Sequence, residues 1–284
     1  MPIPQNRDPA EDAGAALGET LKDLRQAAGF TTLAAAGTRV GYSPDSIGKA
    51  ETGAHVPTPE MLALLLDLYG VTGDLMRRSV LRQHALARTV SGPVREFARK
   101  YFAAEAVATF LRLFGLLLIP GPLQKREYCH AMFLLGRLDE EDAAEQTKVR
   151  MQRRERVDGD DPAHVTALIH QRALYFQVGS PAVMAAQLAD LLELSRRRNV
   201  VIQVIPDEGY FPGAEGAFEI ASGPGMPDIM ALATVKDHVS DDPDEVRDVT
   251  ALFQKIHGYA RSVAQSGELI TEAIEFWNSR QQQQ

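Results

Sequence analysis

Apolar residues recur at helical spacing through the first ninety positions, and the texture changes beyond them. Leu17, Leu21, Leu24 and Ala28 fall three and four apart, which predicts a helix stopped by Gly29. Thr31 or Thr32 is placed to cap a second helix running to about Val40. Gly37 falls inside it, so a looped or 3₁₀ turn is expected there. A third helix is predicted from Pro44 to about Thr52. Ser43 can accept a backbone N–H as its N-cap, Pro44 suits the first helical position because the N–H it lacks would have no partner there, and Gly53 supplies a stop. A fourth begins at Glu60, with Met61, Leu64, Leu65 and Leu68 on its buried side, and ends near Gly70. A fifth starts within Val71 to Arg78 and passes Arg88. Residues 1–14 lack periodicity and are read as a disordered tail.

Ser91-Gly92-Pro93 is the natural boundary. It divides a helical domain, residues 15–91, from a second domain, residues 92–284. In the second, helical patterns cover 96–117, 123–135, 140–155, 181–197, 242–262 and 267–279, and the terminal glutamines are expected to be solvated. His164 to His170 alternates as a strand does. Val200 to Ile205 is β-branched and ended by Pro206, and Ala217–Ala221 and Met230–Val235 complete the predicted strands. Helices and a few strands come in blocks, not in strict alternation. The second domain is therefore expected to be α+β with a small antiparallel sheet.

Composition narrows the function classes. The chain has 284 residues, a net charge of −8 and one cysteine, Cys129, which excludes an internal disulfide framework and a thiolate cluster for zinc. Charge is uneven: residues 1–92 hold nine Lys/Arg against ten Asp/Glu, leaving 21 against 28 in the rest. The longest apolar run, Leu116 to Ile119 with its neighbours, ends at Pro120-Gly121-Pro122, too short for a bilayer, and no charged region precedes an apolar leader. No membrane association and a cytoplasmic location are expected.

A short polar helix delimited as sharply as Ser43 to Gly53 needs a partner surface to justify it. Leu21, Leu24-Arg25, Ala28-Gly29-Phe30-Thr31, Val40-Gly41-Tyr42-Ser43, Ile47, Glu51, Gly53, Pro57 and Leu65 to Val71 together resemble the Cro/cI-type, or XRE, helix-turn-helix. The resemblance implies a λ-repressor-like helical domain in a mainly α chain, with the helix from Pro44 lying in the major groove. It implies that Pro44, Asp45 and Lys49 face bases: Asp can accept from cytosine N4, and Lys can donate to guanine O6 and N7. Thr31, Thr32 and Ser46 would reach phosphates through hydroxyls or helix-terminal amides, and the capping Ser43 is counted with them among the DNA-binding residues. Arg25 and Glu51 would form a structural bridge from the first helix to the end of the third.

From about Glu105 the chain resembles the carboxy-terminal domain of WhiJ-like actinomycete regulators. The matching segments include Ile119 to Gln124, Tyr128-Cys129-His130-Ala131, Arg150 to Arg154, Val178 to Pro181, Val200 to Pro206 and Gly213 to Phe218. The family usually carries a carboxylate near the position of Gln171. The resemblance implies a toxin–antitoxin-like arrangement with a small acidic partner protein encoded nearby.

Enzyme readings find no support in these residues. The seven His and one Cys show no metal-ligand spacing, and no cofactor or metal is expected. Cys129 and His130 are neighbours whose side chains diverge by about 100° on a helix, so they cannot pair directly as nucleophile and base. Gly209 to Gly216 matches no phosphate-binding turn, and the basic run Lys148 to Arg156 is read as a solvated helix face. Tyr210, Phe211 and Phe218 are candidates for lining a ligand or partner pocket. The reading that follows is a sequence-specific transcriptional regulator binding a double-stranded DNA operator as a homodimer. The alternative is an antitoxin-like interaction module whose DNA binding is secondary or lost.

Overall fold

The computed structural model describes residues 9–91, 96–136, 138–233 and 238–282. The chain divides into two compact units, residues 1–92 and 93–284. Gly92 and Pro93 of the expected boundary, residues 1–8 of the expected tail, and residues 234–235 of an expected strand lie outside the described residues.

The first unit has five helices, α1 (Pro9–Ala27), α2 (Leu33–Val40), α3 (Pro44–Glu51), α4 (Pro59–Leu68) and α5 (Asp74–Ser91). Residues 9–14, read as part of a disordered tail, belong to α1. The reason is a contact invisible to hydrophobic periodicity. A Cβ at Gly18 would stand 2.5 Å from the Glu51 carbonyl oxygen, and one at Gly14 would stand 3.1 Å from that of Gly53. Glycine at these two positions lets α1 lie against the end of α3 with backbone nearly touching backbone. Leu17, Leu21, Ile47, Ala50, Leu62, Leu65 and Leu66 are buried. On α4 the buried side is Met61, Leu62, Leu65 and Leu66, while Leu64 is 46% exposed, so the face is rotated from the expected one.

No 3₁₀ turn absorbs Gly37. α2 is a regular helix capped by Thr32 and closed by Gly41 in the left-handed region (φ 76°), with Tyr42 N–H donating to the Gly37 carbonyl oxygen at 3.0 Å. Gly37 is buried because the chain returns over it: a Cβ there would stand 2.5 Å from the Tyr42 oxygen.

The second unit is built on a six-stranded sheet, β1 (Phe110–Gly115), β2 (His164–His170), β3 (Val200–Ile205), β4 (Ala217–Ser222), β5 (Ile229–Ala233) and β6 (His238–Ser240). The spatial order is β3-β2-β1-β4-β5-β6. β1, β2 and β3 run parallel, whereas β4, β5 and β6 continue from β1 antiparallel. The fold class is α+β as expected, but the sheet is mixed and larger than a small antiparallel one. The parallel half requires helical crossovers, and α7 (Arg126–Leu135) with α8 (Glu140–Asp158), then α9 (Gln171–Tyr175) with α10 (Pro181–Ser195), supply them. α6 (Glu96–Val107) precedes β1, while α11 (Pro243–His257) and α12 (Val263–Gln281) close the chain.

The central strand β1 lies inside the stretch 96–117 that reads as one helix. Phe110-Leu111-Arg112-Leu113-Phe114 is nearly continuous in apolar character, and a strand buried on both faces has no alternation to announce it. Leu111 and Leu113 join one core with α10 and α12, while Phe114 joins a second core with Phe218, Phe253 and Ile256 of α11. Buried polar groups tie the crossovers in place. Gln187 of α10 donates to the Leu123 carbonyl oxygen at 2.9 Å and accepts from Lys125 N–H at 2.7 Å. Trp277 of α12 is fully buried, and its Nε1–H donates to the Leu174 carbonyl oxygen at 2.8 Å.

Candidate nucleic-acid interface

The interface starts from two caps. Thr32 Oγ1 accepts from Ala35 N–H at 3.2 Å to open α2. Ser43 Oγ accepts from Ser46 N–H at 3.1 Å to open α3, with Pro44 in the first helical position. Each cap satisfies one amide that the helix start leaves without a partner.

Thr31, Thr32, Ser43, Pro44, Asp45 and Lys49 are exposed, and Ser46 is half-buried. The hydroxyl of the capping Ser43 and that of Ser46 contact each other at 2.9 Å. Ile47 and Ala50 turn the opposite face of α3 into the core. Lys49 Nζ and Asp45 Oδ2 stand 2.8 Å apart across one turn of α3. In the free chain the two groups with base-reading chemistry therefore neutralise each other.

Beneath this face lies a rigid anchor. Arg25 Nε and Nη2 donate to both carboxylate oxygens of Glu51 at 2.6 and 2.9 Å, and Nη1 donates to the Phe30 carbonyl oxygen at 2.5 Å. Both side chains are 6% exposed. The hydrogen bonds to Glu51 raise the Arg25 pKa despite burial, and burial with nearby Glu51 pushes Tyr69 up to about 12. The bridge joins α1, the turn before α2, and the last residue of α3. His84 of α5 makes a second tie: its Nε2–H donates to the Pro57 carbonyl oxygen at 2.7 Å, holding the strand-like segment that leaves α3. Burial pushes its pKa down to about 4, so the ring is neutral. Neither His84 nor the Gly14/Gly18 pair is marked by the helix-turn-helix pattern; the only sequence signal is the four-residue glycine spacing.

The aromatic trio of the second unit does not share one pocket. Tyr210 is 78% exposed. Phe211 is buried, stacked on the His170 ring with centroids 5.2 Å apart. Phe218 alone of the three lines a cavity of about 650 Å³, beside Phe114 and Leu232. The run Lys148–Arg156 is not a solvated face either. Arg153 and Arg156 are each 5% exposed, and Arg156 Nη2 donates to the Ala108 carbonyl oxygen at 2.6 Å. These cations stitch α8 to α6 and the sheet.

Other chemistry is sparse. Cys129 is buried with a thiol pKa raised by desolvation, while His130 pairs with Glu140 at 2.9 Å, so the two neighbours point to different surroundings. Gln171, near the position where the resembled family usually carries a carboxylate, accepts Asp207 N–H at 3.1 Å. Among the described residues no three His, Cys, Asp or Glu gather as metal ligands, and no helix is long and apolar enough to cross a membrane.

In comparison with known proteins, two family models match separate stretches of the chain. A helix-turn-helix domain model matches residues 16–79, and a domain of unknown function, DUF5753, matches residues 98–272. No curated protein and no solved structure matches the chain significantly. The helix-turn-helix match makes the first unit a DNA-binding regulator's domain. The second match spans more than half of the 284 residues, and the chain belongs to the DUF5753 family.

Proposed function

We propose that this chain is a sequence-specific transcriptional regulator of the XRE kind that grips a double-stranded operator as a homodimer through α3. Its second unit, WhiJ-like by resemblance, tunes DNA affinity by sensing a small acidic partner protein or a ligand. The observation that carries the reading is α3 itself. It is capped by Ser43, braced from behind by Arg25–Glu51, and presents Pro44, Asp45 and Lys49 to solvent. A brace on one side and a polar, exposed first turn on the other is what a major-groove reader requires. Two such helices in a two-fold dimer would meet half-sites about 34–36 Å apart.

A second reading is favoured by the Asp45–Lys49 pair, which leaves the exposed face of α3 without net charge. Under it the chain is an antitoxin-like module that holds its small partner, with DNA binding secondary. Mobility-shift titration on the gene's own upstream region, beside a pull-down of the neighbouring product, separates the two. Retarded DNA at low salt with a two-fold footprint supports the regulator. No shift at low salt together with tight partner binding overturns it.

A further inference from the structure

The cavity of about 650 Å³ in the second unit is walled by α6, α7, α8, the loop after β1 and strands β4 to β6. Most of its wall is apolar, including Phe114, Leu118, Phe133, Phe218 and Leu232. That size is within the ~300–1,000 Å³ of small-molecule sites. Two guanidinium groups stand together at one side. They press so closely on Gly121 that a Cβ there would lie 2.5 Å from Arg150 Nη1 and 2.8 Å from Arg153 Nη1.

The two cations differ in what holds them. Arg153 donates twice to Glu105, at 2.6 and 3.0 Å, and once to Glu219 at 2.5 Å, with the Phe102 ring 4.2 Å away. Among the described residues Arg150 has a single hydrogen bond, Nη1 to Gln124 Oε1 at 3.3 Å, and the Phe133 ring stands 5.5 Å from Cζ. Its guanidinium carries five N–H donors, and no carboxylate stands within ion-pair distance among the described residues. Desolvation and the like charge of Arg153 depress its pKa. The Tyr101 hydroxyl, on a side chain 1% exposed, also lines this cavity and lies beside the Glu219 carboxylate. A half-buried guanidinium with no carboxylate at ion-pair distance keeps spare N–H donors, and a cavity that sets those donors against an aromatic wall is shaped for an anion with an apolar body.

We propose that this cavity binds a small amphipathic carboxylic acid, its carboxylate on the Arg150 guanidinium and its hydrocarbon or aromatic body on the Phe133 and Phe218 side. The proposal rests on the sensing role inferred above and gives it a ligand class. Glu219 and Asp142 also line the cavity, and they disfavour a polyanion such as a nucleotide while leaving a single carboxylate acceptable.

The test is calorimetric titration of the full chain with decanoate and naphthalene-1-acetate, each against its neutral amide. At least one acid is expected to bind once per chain and tenfold or more tighter than its amide. Arg150→Gln is expected to bring the acid down to the amide's level, with Arg150→Lys intermediate. Absence of binding by both acids, or unchanged acid binding by Arg150→Gln, overturns the site. Should Arg150→Gln lose its circular-dichroism signature, Leu232→Trp narrows the cavity from β5 without altering the arginines; it must abolish acid binding, and unchanged binding there overturns the site equally. Mobility shifts with and without the acid keep the two ideas apart. An acid that binds but leaves operator affinity unmoved supports the cavity and removes the sensing role. Failure of both acids to bind, with operator binding intact, removes the cavity alone.

Discussion

Lys49 and Asp45 pair with each other in the free chain, and an exposed pair one turn apart is weak enough for either group to turn to a base. Asp45→Ala is expected to release Lys49, raising affinity for unrelated DNA while erasing any preference for cytosine opposite position 45. Lys49→Ala should erode preference for guanine. Each lost base contact changes operator discrimination by about 1–3 kcal/mol, read by competition mobility shifts over single-base operator variants. If both variants rank every sequence as the wild type does, the first turn of α3 is not the reader. Arg25 and Glu51 predict something different. Glu51→Ala leaves Arg25 buried without its counter-charge, which costs about 3–5 kcal/mol, visible as a lowered urea midpoint by far-UV circular dichroism. These side chains are legible in the sequence because their spacing belongs to a compact motif. Arg150 and Arg153 are not legible in that way. A basic run reads as solvated until the fold shows that Glu105, 48 residues away, closes on Arg153.

At the level of the elements, two contacts besides the Arg25–Glu51 bridge support α3 and the segment that leaves it, and both can be perturbed. Gly18→Ala would drive a methyl group to 2.5 Å from the Glu51 carbonyl oxygen. Overpacking of this kind costs about 1–3 kcal/mol, and operator affinity should fall with stability because α3 is the element displaced. His84 gives a pH dependence. Its folded pKa is about 4, below the ~6.5 of an unfolded histidine. Between those values the unfolded chain binds the extra proton, so stability is complete above about pH 6.5 and declines as pH falls toward 4, by about 3 kcal/mol in all. Urea midpoints between pH 7.5 and 4.5 should show the decline, and His84→Gln should flatten it. Helix ends were the readable part of these elements: Ser43-Pro44 and Gly29 write a cap and a stop locally, although the apolar pattern puts the start of α4 at Glu60 and not at the Thr58 cap and Pro59. β1 was not readable, because a strand buried on both faces and a buried helix share the same run of Phe and Leu. β2 and β3, carrying Val and Ile between turn residues, gave themselves away.

Across the whole molecule the acidity lies mostly in the second unit, and the helices α2 and α3 carry only Arg39 and Lys49 as cations. A dimer that used these four charges would release few counterions. The slope of log K against log salt should then be no steeper than about −4, measured by filter binding from low to physiological salt. A much steeper slope would bring other basic residues into the interface. The placement of Trp277 has one more consequence. It is the chain's one tryptophan and sits in the core of the second unit. Selectively excited indole emission therefore watches that unit alone, while ellipticity watches both. Non-coincident transitions in the two signals would expose stepwise melting. The native protein, without any label, thus carries an optical channel that is blind to its DNA-binding half.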